Sequence, residues 1–172
     1  MLIVFRAMGA SPSAGAVTID FAGDTHLGCA WSIVEFAGVD TGGTNGSAAV
    51  VQSNNNREDG DSDQALSVTL ASFGAADNRP YAAFAANRNA ATTWVPETDY
   101  DQLHQVAHAS PDHSLMTEWR DDATDTSPSA TLAVATLNVA GIALEIKAAG
   151  AAAGSVGHRV IGGGWGGRTI GA

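Results

Sequence analysis

Apolar residues in this chain recur at every second position, in short runs that clusters of turn-forming residues keep cutting off. The clearest run is Gly141-Ile-Ala-Leu-Glu-Ile-Lys147. Ile142, Leu144 and Ile146 fall on one side of an extended backbone, and Ala143, Glu145 and Lys147 on the other. That spacing builds strands, and no stretch shows the 3.6-residue period of an amphipathic helix. The runs predict strands over residues 2–7, 16–21, 28–37, 47–53, 65–73, 80–86, 102–108, 114–120, 130–137 and 141–148. Between them stand Ser11-Pro-Ser13, the polar stretches 40–46 and 54–63, Asp77-Asn-Arg-Pro80, Ser110-Pro-Asp112 and the acidic stretch 121–128. So many short strands predict an all-β fold, a two-sheet antiparallel β-sandwich over residues 1–148 with meander or jelly-roll wiring. From Ala148 onward the pattern stops. The chain turns Ala-rich and then Gly-rich, with Gly162-Gly-Gly-Trp-Gly-Gly167, so residues 149–172 read as a C-terminal tail or arm outside the sandwich.

A chain of 172 residues is long enough for one core, and 45% hydrophobic against 15% charged residues supplies the apolar surface for it. The formal net charge of −10 repels a phosphate backbone and an anionic bilayer, which argues against nucleic acid and membrane partners. No run approaches the roughly 20 apolar residues of a membrane-spanning helix, and the run Leu2-Ile-Val-Phe5 is too short for a secretory signal. Cys29 is the single cysteine and lies in an apolar run, so it reads as a buried free thiol.

Candidate chemistry is sparse. Asp59, Asp61 and Asp63 alternate like the first ligands of a calcium loop, but Gln64 stands where that loop needs Gly and Leu70 where it needs Glu, so the stretch reads as a solvated acidic loop. His104, His108 and His113 are close in sequence, yet on a strand the first two stand about 13 Å apart, too far for one ion. Glu35 and Glu145 form a carboxylate pair only if their strands are neighbours. No Gly-x-Ser-x-Gly elbow, phosphate-binding loop or Cys/His pair appears, which leaves no catalytic residue and no cofactor to assign. Of the four tryptophans, Trp31 and Trp119 sit inside strands and read as core. Trp94, in a loop, reads as a ligand or partner contact, and Trp165, Arg159 and Arg168 in the arm read as contacts to another subunit.

Three stretches carry a resemblance: residues 28–40 with Trp31-Ser-Ile-Val-Glu-Phe-Ala-Gly-Val39, Ser67-Val-Thr-Leu70, and Gly141-Ile-Ala-Leu-Glu-Ile146. In them the chain resembles β-sandwich proteins of phage and prophage structural regions, whose fold is concanavalin-like or jelly-roll. The resemblance implies a non-enzymatic virion protein, a capsid decoration or tail component, placed in the virion after assembly in the host cytoplasm. Its implied partners are other copies of itself and other virion proteins. The alternative reading is a carbohydrate-binding module that holds surface glycans through exposed aromatic rings. Such sandwiches usually carry one or two strands before the one corresponding to Leu2-Ile-Val-Phe5, so either the start lies further upstream or the missing strand comes from another subunit, the option that suits an assembly protein.

Overall fold

The computed structural model describes residues 1–7, 17–20, 28–60, 63–87, 93–136, 138–150 and 156–166. Its strands are β1 (Cys29–Ala37), β2 (Val50–Glu58), β3 (Asp63–Ser67), β4 (Arg79–Asn87), β5 (Trp94–Pro96), β6 (Asp101–Ala109), β7 (Asp112–Trp119), β8 (Ser129–Thr136), β9 (Asn138–Ile146) and β10 (Gly157–Gly166). Every pairing is antiparallel, which bears out the all-β reading. The strands form a five-stranded sheet in the order β2-β9-β4-β7-β6, a three-stranded sheet β3-β8-β5 and a two-stranded ribbon β1-β10, and none of these closes into a barrel. From β2 to β5 each successive strand changes sheet, and β8 and β9 do so again, so most connections cross the core. Only β6 and β7 pair as sequence neighbours.

β4 reads Arg79-Pro-Tyr-Ala-Ala-Phe-Ala-Ala-Asn87 and is buried at nearly every position, because both faces of its sheet are covered. Ala82, Phe84 and Ala86 point to one side, where Leu66, Trp94, Ala130 and Leu132 of the three-stranded sheet meet them. Tyr81 points to the other side with Trp119 and Ile146, and there Val34 and Phe36 of β1 close over them. The Phe36 ring centre lies 5.5 Å from that of Tyr81 and 5.1 Å from that of Trp119. Full burial of Phe84 and Met116 contributes roughly 1.5–3 kcal/mol each. Gly141 on β9 is set by the packing above it: a Cβ there would stand 2.7 Å from a Val68 methyl and 3.0 Å from the Phe84 ring.

Three outcomes differ from the sequence reading. Residues 1–7 and 17–20 lie in no strand, although strands were expected over 2–7 and 16–21. There are three sheets rather than two, and residues 157–166, expected in a tail, are β10, registered on β1 from Ala37↔Gly157 to Cys29↔Gly166. Val156, just before β10, is 2% exposed in the second core, so the fold continues past residue 148. Side-chain periodicity cannot reveal β10 because its middle has no side chains. Gly162 and Gly164 form the floor on which the Trp31 ring lies, and a methyl on Gly163 would fall inside the His104 ring. Neighbouring strands supply the bulk that the glycines lack.

The strand expected over 65–73 ends at Ser67, but the chain stays extended with Val68 and Leu70 buried. Its N–H groups at Val68 and Leu70 donate to the carbonyls of Pro128 and Thr126. On its other side the partners are side chains: the Asn56, Asn54 and Gln52 amides donate to the carbonyls of Ser67, Thr69 and Ala71. Gln52 also accepts the Ala71 N–H at 2.9 Å. The Asn-rich stretch 54–56, which reads as loop, is therefore strand, and its period-2 amides tie β2 to the opposite sheet.

Candidate functional site

Trp94, expected as a ligand or partner contact, is instead a core residue of β5, 2% exposed. Its indole N–H donates to the Ser114 hydroxyl at 3.0 Å, and its ring packs 5.7 Å from that of Phe84. The loop expectation failed because β5 is only three residues long, too short to show alternation. Arg159 lies on β10, opposite Glu35 in the register, and donates to the Glu35 carboxylate. With Arg159 largely and Glu35 partly in solvent, that pair adds little stability. Trp165 stands opposite Ala30 in the same ladder. Arg168 and Asp61 lie outside the described residues. Asp59 accepts from Arg57 at 2.8 Å, while Asp63 opens β3. His104 and His108 both lie on β6, with His108 opposite His113 of β7. Among the described residues no group of three His, Cys, Asp or Glu is placed to hold a metal ion.

Glu35 and Glu145 do not form a carboxylate pair, for they belong to different sheets. Glu145 is fully buried and satisfied by the Gln52 amide at 2.6 Å, the Gly74 N–H at 3.0 Å and the Asn78 amide. It is a structural carboxylate that fastens the chain from Gly74 to Asn78 against β9. Cys29 is half-buried at the start of β1.

The sequence reading passed over a second buried carboxyl, Glu118 of β7. Period 2 places it on the same face as Ser114 and Met116, toward the three-stranded sheet. It is 0% exposed, and neither carboxyl oxygen meets a donor in hydrogen-bonding geometry. Burial pushes its pKa up to about 8; the Glu97 N–H pulls the other way, and the negative charges of Glu97 and Asp125 add to the rise. Tyr100 is 6% exposed, and its hydroxyl and Oδ2 of Asp125 face each other without other partners in hydrogen-bonding geometry. Burial, then Asp125, hold that phenol above its usual range. Glu97 is engaged elsewhere, accepting the N–H and hydroxyl of Ser129. Arg120 lies over the Tyr100 ring at 5.8 Å but donates to Asp122 at 2.8 Å. The signal for this cluster was the alternation Ser114-x-Met116-x-Glu118, a charge at a core position. Two surface depressions, of about 280 and 540 Å3, are lined around Asn78 and Lys147 and around Phe73 and Asp122, and neither reaches Glu118.

The strand edges differ in how they are closed. On β2, the N–H groups of Asn55 and Arg57 donate to the side-chain oxygens of Asn54 and Asn56, and charged Arg57 and Glu58 end the strand. β3 lies beside β2, and β6 is flanked by β10 and β5, with Gln105 taking the Trp94 N–H. β1 is different. It has nine residues with Glu35 its one charge, it pairs with β10 along one edge, and its other edge has no strand among the described residues. Elsewhere, Ile3 is 48% and Phe5 85% exposed in a segment that belongs to no strand. No family model, no curated protein and no solved structure matches the chain.

Proposed function

We propose that this chain is a non-enzymatic structural component of a virion, a capsid decoration or tail protein that assembles with copies of itself and with other virion proteins. On this reading the sheets form a sandwich of the concanavalin or jelly-roll type, and the protein resides in the virion. The observation that carries the assembly role is the outer edge of β1, which has no strand beside it among the described residues. A monomer gains nothing by leaving open a nine-residue, nearly uncharged edge. The virion assignment comes from the resemblance, whose three stretches fall on β1 and its exit, on the end of β3 with the extended residues after it, and on the second half of β9.

A carbohydrate-binding module needs two or more rings exposed on one face, and burial of Trp94 and Trp119 weighs against that alternative. Light scattering on the purified chain tests the reading: a defined oligomer at micromolar concentration supports it. A monomer up to about 100 μM that binds immobilised glycans favours the alternative.

A further inference from the structure

We propose that the free edge of β1 takes up residues Leu2–Arg6 of a second copy as an added strand. This rests on the assembly reading and specifies its geometry. Two unmet needs in one chain answer each other. The first is an edge whose outward N–H and C=O groups have no strand among the described residues, on a strand whose side chains are only half-buried. The second is the segment Leu2-Ile-Val-Phe-Arg6, which belongs to no strand. Its exposure alternates: Ile3 and Phe5 face solvent while Leu2 and Val4 are half-buried, so it already presents two faces as a strand does.

Of the sheet edges, β2 is capped by its own asparagines and β5 is three residues long. Of the ribbon's two outer edges, that of β10 carries Arg159, the same charge as Arg6, and that of β1 carries Glu35, which makes β1 the acceptor. The lengths fit, since five extended residues reach about 17 Å and nine about 30 Å. The charges agree as well. Arg6 is the segment's one charged side chain, the whole chain carries −10, and Glu35 on β1 shares the outward face with Trp31. Pairing would cover Ile3 and Phe5, and added-strand binding draws its affinity from main-chain hydrogen bonds with side-chain contacts setting register.

The test is Val4→Pro in the full chain, which removes an N–H donor and bars the segment from a ladder. Residues 1–7 lie in no strand, so circular dichroism and melting temperature should stay as in the parent. The expected result is an oligomer in the parent and at least a tenfold weaker association in the variant, by light scattering across a dilution series. In a second arm, a synthetic peptide of residues 1–7 should compete and dissociate the parent oligomer. An oligomer unchanged by Val4→Pro and by the peptide overturns this inference and leaves the assembly reading standing. A parent that stays monomeric at all concentrations overturns both.

Discussion

Glu118 has 0% exposure and neither oxygen holds a donor in good hydrogen-bonding geometry, so burial outweighs the pull of the Glu97 N–H and it is most stable with its proton on. In the unfolded chain the same carboxyl ionises near 4.5, and in the fold only near 8. Between those values the folded state holds a proton that the unfolded state has lost, and stability falls as pH rises, by up to about 1.4 kcal/mol per pH unit from this group. The contribution is complete below pH 4.5 and lost above pH 8. Urea unfolding at pH 5, 6.5 and 8 should show that slope, and Glu118→Gln should flatten it and be the more stable protein at pH 8. At the other core, Gly163→Ala would press a methyl into the His104 ring. A cost of about 1–3 kcal/mol is expected, most of it recovered in the double variant with His104→Ala, as a coupling measured by a double-mutant cycle. Neither residue announces its role in the sequence. Glu118 was legible only as a charge out of pattern, and Gly163 looks like one glycine of a flexible run until the ring beneath it is known.

Among the elements, the strands with alternating side chains were readable: the expected runs 28–37, 80–86, 102–108, 114–120, 130–137 and 141–148 fall on β1, β4, β6, β7, β8 and β9. Periodicity failed where something other than alternation holds the strand. β2 continues through Asn54, Asn55 and Asn56 because the Asn54 and Asn56 amides bond across to Thr69 and Ser67, and β10 is held by rings from β1 and β6. Two tests follow. Asn54→Ala should lose its bond to the Thr69 carbonyl and destabilise by about 1 kcal/mol in chemical denaturation. Ending the chain at residue 150 removes β10 and Val156, uncovering Phe36 and Val34. At about 1.5–3 kcal/mol for each large side chain re-exposed, the truncated protein should melt well below the parent and bind a hydrophobic dye. A tail lying outside the fold would leave both measurements unchanged.

At the scale of the whole molecule, the five-stranded sheet is the middle layer. Its outward neighbours are a short sheet stitched on by amides and a ribbon seated on aromatic rings. Coverage on both faces explains why so many of its positions accept only small or apolar residues, and why a polar-out rule misreads β4 and β7. The pairing order has a consequence in time. β1 bonds to β10, so Cys29 waits for Gly166, and β2 waits for β9. On the ribosome, where synthesis proceeds at roughly 5–20 residues per second, the apolar β1 emerges several seconds before its partner exists. Folding dominated by such distant closures is slow, in the range of milliseconds to seconds once the chain is complete. The nascent protein thus passes through an interval in which its stickiest strand has no mate, and crowded synthesis of many copies brings those unmated strands within reach of one another.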